Sequence, residues 1–104
     1  MGNLINEIEE TIQSIDQVTD LLYQWNTSEA YQSLDKTFIL LSGTINSIYQ
    51  CQMVDNDLEI DIKIIMEALN NAMKAIEEKD TILLADILYY DIKELLEEVN
   101  MNIK

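Results

Sequence analysis

Apolar residues recur every three or four positions along most of this chain, which is the spacing of one face of an α-helix. In the first segment the apolar and polar positions separate onto opposite faces. The apolar face holds Leu4, Ile8, Ile12, Ile15, Leu22 and Trp25. The opposite face holds Glu9, Glu10, Gln13, Asp16, Gln17 and Asp20. This separation predicts an amphipathic helix over residues 3–25 that buries one side against other elements.

Three further helices follow from the same periodicity. They are predicted over residues 28–53, 57–78 and 81–101. Each is preceded by polar residues whose side chains accept hydrogen bonds from the free amides of a helix N-terminus. We expect Asp55 or Asp57 to cap the third helix and Asp80 to cap the fourth.

The residues predicted to face the core come from the same spacing. In the second helix they are Tyr31, Leu34, Phe38, Leu41, Ile45 and Ile48. In the third helix they are Leu58, Ile62, Ile65, Leu69, Ala72, Met73 and Ile76. In the fourth helix they are Leu84, Leu88, Ile92, Leu95 and Val99.

Four helices joined by short connections favour antiparallel neighbours in space. We therefore predict an all-α, up-down-up-down four-helix bundle that occupies residues 1–104 as a single domain. A three-helix bundle is the alternative, which would arise if the first helix undocked or two helices fused.

The chain is strongly acidic, with 20 Asp and Glu against 6 basic residues, no His and a net charge of −14. Nucleic-acid binding relies on Lys and Arg that neutralise phosphates, so this charge argues against it. Anionic membrane surfaces are disfavoured for the same reason, and no apolar run approaches the roughly 18 residues of a membrane span. Basic or apolar protein partners are favoured instead.

The expected compartment is the cytoplasm. Cys51 is the single cysteine, so no disulfide can form within the chain, which is typical of a reducing compartment. The first residues are acidic and lack the positively charged region of a secretion signal.

Candidate chemistry is sparse. Acids alternate over residues 55–61, but Ile60 stands where a calcium loop needs Gly and Met66 where it needs Glu. No His is available as a general base, and no Gly-rich phosphate loop is present. We therefore expect a non-enzymatic protein without catalytic residues, metal or cofactor. An enzyme or metal protein that uses clustered carboxylates is the less favoured alternative.

The most informative feature is apolar surface in excess of what one core needs. The third helix has a second stripe of Ile60, Ile64, Ala68 and Ala75, and the fourth has a flank of Leu83, Ile87 and Tyr90. Contiguous exposed apolar patches mark interfaces, so the candidate interface is Ile60, Ile64, Leu83, Ile87 and Tyr90. These residues would either hold an amphipathic or basic segment of a partner protein or form a homodimer. A slightly rotated bundle would instead absorb them into its core.

Residues 75–91 resemble part of a known group of proteins. Here Lys79-Asp80 leads into Leu84-Ala85-Asp86-Ile87-Leu88 and an acidic stretch with tyrosines. The segment resembles the C-terminal part of a group of small bacterial helical proteins. The general build is similar to the flagellar and secretion export chaperones, which are small acidic helical bundles. That resemblance implies a bacterial protein with chaperone-like binding of a partner, although no partner-binding residue of those families matches a position here.

Overall fold

The structure, a computed structural model, describes residues 2–54 and 61–103, and these residues form four helices. Helix α1 spans Gly2–Tyr23, α2 spans Thr27–Val54 and α3 spans Ile62–Glu77. The fourth helix, α4, covers residues 81–103 and contains a π-helical segment, Ile87–Ile92. The predicted all-α four-helix bundle is confirmed.

Helix α1 ends earlier than its apolar spacing predicts. The amide of Trp25 donates to the carbonyl of Leu22 at 3.1 Å, and the amide of Asn26 donates to Leu21 at 2.9 Å. These two hydrogen bonds form a Schellman motif, in which the residue after the helix C-cap adopts left-handed backbone angles. Trp25 is that residue, with a φ of 63°, and its side chain is 67% exposed. The prediction that Trp25 faces the core is therefore wrong.

Helix α3 begins later than predicted. Asp61 has extended backbone angles, and its carboxylate accepts a hydrogen bond from the amide of Lys63 at 3.0 Å. The helix therefore starts at Ile62 with Asp61 as its cap, later than the expected start near residue 57. The predicted caps Asp55 and Asp57 lie outside the described residues. Leu58 and most of the alternating acids lie in residues 55–60, outside the described residues. At α4 the prediction holds, because Asp80 accepts from the amide of Leu83 at 3.1 Å.

Helix α1 is the centre of the packing, with α2 along one side and α4 along another. Two buried hydroxyl pairs, Thr11 with Thr44 and Ser14 with Thr37, join α1 to α2 at 2.7 Å each. Helix α3 packs along α4, whereas α2 and α3 approach each other only marginally. The bundle is therefore least closed on the side between α2 and α3.

Helix α3 is rotated relative to the predicted orientation. Its buried residues are Ile65, Ala68, Ala72 and Ala75. Met73, predicted to be internal, is 52% exposed, while Ala68 and Ala75, predicted to be external, are buried. Because helix–helix distance depends on the side chains at the contact, the alanine face lets α3 approach α4 closely. The bulkier Ile62, Leu69 and Ile76 remain half-buried at the edge.

The π-helical segment changes the phase of the second half of α4. A π turn contains more residues than an α turn, so the residues that follow it are rotated about the helix axis. Leu96 takes the fully buried position that the spacing assigns to Leu95, which is only half-buried. Ile87, predicted to be on the surface, is 6% exposed.

Candidate functional site

A groove runs along the surface between α3 and α4. Its larger part is a cavity of about 370 Å³, and its smaller part, of about 170 Å³, shares Ile64, Leu95 and Glu98 with the first. We call the two together the α3–α4 groove. It extends from Asp61 to Asn71 on α3 and from Tyr90 to Asn102 on α4.

Apolar side chains form the floor of the groove and part of its edges. Ala68 is small enough to leave a depression between the two helices, and Leu95 is half-buried beside it. Ile64 and Tyr90 are 47% and 54% exposed. These three larger side chains form a discontinuous apolar strip that a second apolar surface can cover.

Carboxylates stand on both walls of the groove. Helix α3 and its cap contribute Asp61 and Glu67, and α4 contributes Asp91, Glu94 and Glu98. Among the described residues that line the groove, none is basic. The potential in the groove is therefore negative, which attracts cations and repels anions.

Lys93 of α4 does not line the groove, because its side chain is held against helix α1. Its Nζ donates to Asp16 Oδ1 of α1 at 2.7 Å and lies 4.4 Å from the centre of the Tyr89 ring. The hydrogen bond to Asp16 raises the pKa of Lys93. Tyr89 and Tyr90 meet edge to face, with ring centres 5.0 Å apart. Tyr90 in the groove is thus connected through Tyr89 and Lys93 to helix α1.

A second polar contact joins α1 to the first part of α4. The hydroxyl of Tyr23 donates to Asp86 Oδ1 at 2.5 Å. Desolvation and this hydrogen bond to a carboxylate both raise the pKa of Tyr23. The two contacts at Asp16 and Asp86 hold α4 on either side of its π-helical segment.

The structure separates the residues of the predicted interface. Ile64 and Tyr90 are exposed and meet in the α3–α4 groove. Leu83 is 42% exposed but does not line the groove. Ile87 is buried, so its assignment to a surface patch is wrong: it lies three residues after the buried Leu84, on the same inward face of α4. Ile60 lies outside the described residues.

The acidic wall of α4 is a functional candidate that the apolar spacing did not reveal. Asp91, Glu94 and Glu98 are spaced by three and four residues, which places them along one side of a helix. That spacing was visible in the sequence, but outward carboxylates at helical spacing are common on any solvated face.

In the ranges 2–54 and 61–103 no group of three or more His, Cys, Asp or Glu side chains is arranged to hold a metal ion. Within these ranges no helix combines the length and apolarity needed to cross a bilayer.

Fold and site together define a helical bundle with an acidic, apolar-floored surface groove. The chain belongs to the family described as "Domain of unknown function (DUF8042)", whose model matches residues 1–102. No curated protein and no solved structure matches the chain significantly.

Proposed function

We propose that this protein is a non-enzymatic interaction module that binds a basic, amphipathic segment of a partner protein in the α3–α4 groove. The observation that carries the proposal is the combination of an apolar strip with carboxylates on both sides. Ile64, Leu95 and Tyr90 supply the strip, and none of the described lining residues is basic.

The apolar strip suits helix-in-groove recognition, in which an amphipathic helix lays its apolar face between two helices. From Asp61 to Asn71 the α3 wall is about 15 Å long at 1.5 Å per residue, which accommodates about three turns of a bound helix. Tyr90 is partly exposed on a well-held helix, and tyrosine is enriched among the residues that dominate binding energy. The strip would therefore supply the affinity.

The carboxylates would supply selectivity. Charges at the rim of an interface accelerate association with a complementary partner and disfavour partners of the same sign. With acids on both walls, the preferred segment carries Lys or Arg on both sides of its apolar stripe. A segment rich in acids would be repelled from both walls.

The proposal places the protein in the bacterial cytoplasm in a chaperone-like role. A groove of this kind covers an apolar segment of a partner that would otherwise be exposed and prone to aggregate. The acidic bundle, with its net charge of −14, would at the same time keep the complex soluble.

Fluorescence anisotropy with a labelled synthetic peptide tests the proposal. The probe is a three-turn helix with leucines on one face and lysines on both flanks, and the matched probe has glutamates in place of the lysines. The basic probe is expected to bind and the acidic probe is not. Ile64→Asp is expected to weaken binding by roughly tenfold, as for a central interface residue.

Two controls separate the groove from general charge and folding effects. Ile39→Asp alters an α2 side chain that is 72% exposed and is not a lining residue of the groove, and it should leave the affinity unchanged. Glu94→Lys with Glu98→Lys should abolish binding of the basic probe, whereas Glu29→Lys with Asp35→Lys makes the same charge change on α2 and should have little effect. Equal affinities for all folded variants would refute the proposal.

A further inference from the structure

Helix α3 carries a second apolar surface on the flank opposite the groove. Its members follow each other at helical spacing along the whole helix, and they are Ile62, Met66, Leu69, Met73 and Ile76. We call them the α3 strip. Met66 and Met73 are 47% and 52% exposed, and the other three are half-buried. Ile62, Leu69 and Ile76 pack against the edge of the core, whereas Met66 and Met73 are about half exposed among the described residues of one copy.

The charge around the α3 strip differs from that of most of the molecule. Residues 62–77 contain two lysines, Lys63 and Lys74, and two glutamates, Glu67 and Glu77. Helix α3 is therefore neutral, whereas the chain as a whole has a net charge of −14. Two copies that approach through other acidic faces repel each other. A contact between two copies through helix α3 would avoid that local repulsion.

The α3 strip is also symmetric along the helix. Ile62 and Ile76 lie at equal distances in sequence from Leu69, and Met66 and Met73 lie at nearly equal distances. Suppose that two α3 helices pack antiparallel about a twofold axis at Leu69. Ile62 of each copy then lies beside Ile76 of the other, and Met66 of each copy lies beside Met73 of the other. An isologous interface requires this kind of self-complementarity.

Opposite charges at the two ends of α3 would also meet if two α3 helices packed antiparallel. Lys63 and Glu77 are both exposed and lie near opposite ends of α3. Among the described residues, the ion pair is formed by Lys93 and Asp16. Lys63 and Glu77 therefore form no ion pair with those residues. In the antiparallel arrangement Lys63 of each copy comes beside Glu77 of the other, which forms the pair twice.

We propose that the α3 strip is the interface of a homodimer in which the α3 helices of two copies pack antiparallel. Its occupant is a second copy of this chain. The surface is distinct from the α3–α4 groove, so each copy in the dimer keeps its groove available.

Sedimentation velocity over a dilution series tests the dimer. The wild-type chain is expected to change from dimer to monomer as it is diluted. Met66→Glu with Met73→Glu should be monomeric throughout, with the helical circular dichroism of the wild type. The matched control, Ile39→Glu with Met101→Glu, adds the same charge at side chains that are 72% and 77% exposed, and it should dimerise like the wild type.

A charge exchange tests the antiparallel arrangement. Lys63→Glu and Glu77→Lys change the net charge in opposite directions, yet each should raise the dimer dissociation constant on the order of tenfold, because each replaces two attractive pairs by repulsive ones. The double variant has the wild-type net charge and should restore the wild-type constant. Failure of the double variant to recover would exclude antiparallel pairing of these residues.

Two further outcomes would overturn the homodimer. One is a wild-type chain that stays monomeric at the highest concentration, and the other is a dimer that persists in Met66→Glu with Met73→Glu. Ile64→Asp lies in the groove and should not alter dimerisation. The groove proposal and the dimer proposal therefore succeed or fail separately.

Discussion

Lys93 of α4 and Asp16 of α1 form an ion pair at 2.7 Å that joins the two helices near the middle of the bundle. The lysine side chain is 17% exposed and the aspartate 43%. The ammonium also lies over the Tyr89 ring, so that one cation serves two partners on two helices. This contact holds the end of the π-helical segment, one residue after Ile92.

Lys93→Met should lower the free energy of unfolding by about 1 kcal/mol, the combined effect of a partly exposed ion pair and a cation–π contact. The measurement is urea unfolding followed by circular dichroism. Lys36→Met removes an exposed lysine from α2 and serves as the control, with an expected change near zero. Equal losses in the two variants would show that the Asp16 contact adds no stability.

Alkaline pH should destabilise the bundle through Tyr23. Its pKa in the folded protein is raised above the ordinary value of 10.0, first by desolvation and then by the hydrogen bond to Asp86. A raised pKa means that the folded state holds the proton more tightly than the unfolded state. The stabilisation that protonated Tyr23 gives the folded state is therefore complete below pH 10. It is lost as the pH rises through the higher pKa of Tyr23 in the folded state.

Tyr23→Phe removes this titration. The unfolding free energy of the variant should fall less steeply between pH 10 and pH 12 than that of the wild type, as measured by urea unfolding at each pH. Lys93 contributes a change of the same sign, since its pKa is raised mainly by the hydrogen bond to Asp16, and it remains in both proteins. Parallel pH profiles for the two proteins would contradict the role of Tyr23.

Lys79 is expected to be a site where glycine stabilises the protein. It follows α3 in a second Schellman motif, with a φ of 57°, and Asp80 donates its amide to Ala75 at 2.9 Å. A side chain in this left-handed region is disfavoured, so Lys79→Gly should raise the unfolding free energy by about 0.5–1 kcal/mol. Thermal and urea unfolding measure the change.

The control for Lys79→Gly is Lys36→Gly in the interior of α2, where glycine should destabilise by about 1 kcal/mol. Opposite signs at the two lysines would confirm the left-handed position. Destabilisation at both would indicate that α3 continues past Glu78 in solution.

Ala75→Leu tests the orientation of α3. Ala75 is 1% exposed against the neighbouring helix, so the larger side chain should destabilise by about 1–3 kcal/mol through overpacking. Met73→Leu changes an exposed position on the same helix and should have an effect within about 0.5 kcal/mol. If Ala75→Leu were neutral and Met73→Leu destabilising, α3 would have the orientation that the apolar spacing alone predicts.

The two candidate surfaces differ in how far the sequence anticipates them. Ile64 and Tyr90 are recognisable as surplus apolar residues on helices that already have a core face, and both are exposed. Their meeting in one groove is not recognisable, because it depends on the phase of two helices that lie far apart in sequence. The residues of the α3 strip other than Met66 were predicted to face the core. They lie at its edge or, for Met73, on the surface, because the alanines of α3 face inward.

The amino-acid sequence by itself determined the helices and the antiparallel bundle, because periodic apolar spacing and capping aspartates act within a few residues of each other. Asp80 at the start of α4 is such a local signal. The tertiary structure alone decided which face of α3 is buried and where Leu96 replaces Leu95. Helix α3 has apolar residues on more than one face, and only the distance of closest approach to α4 selects the small ones. The phase of α4 depends on one π turn, which local propensity does not encode.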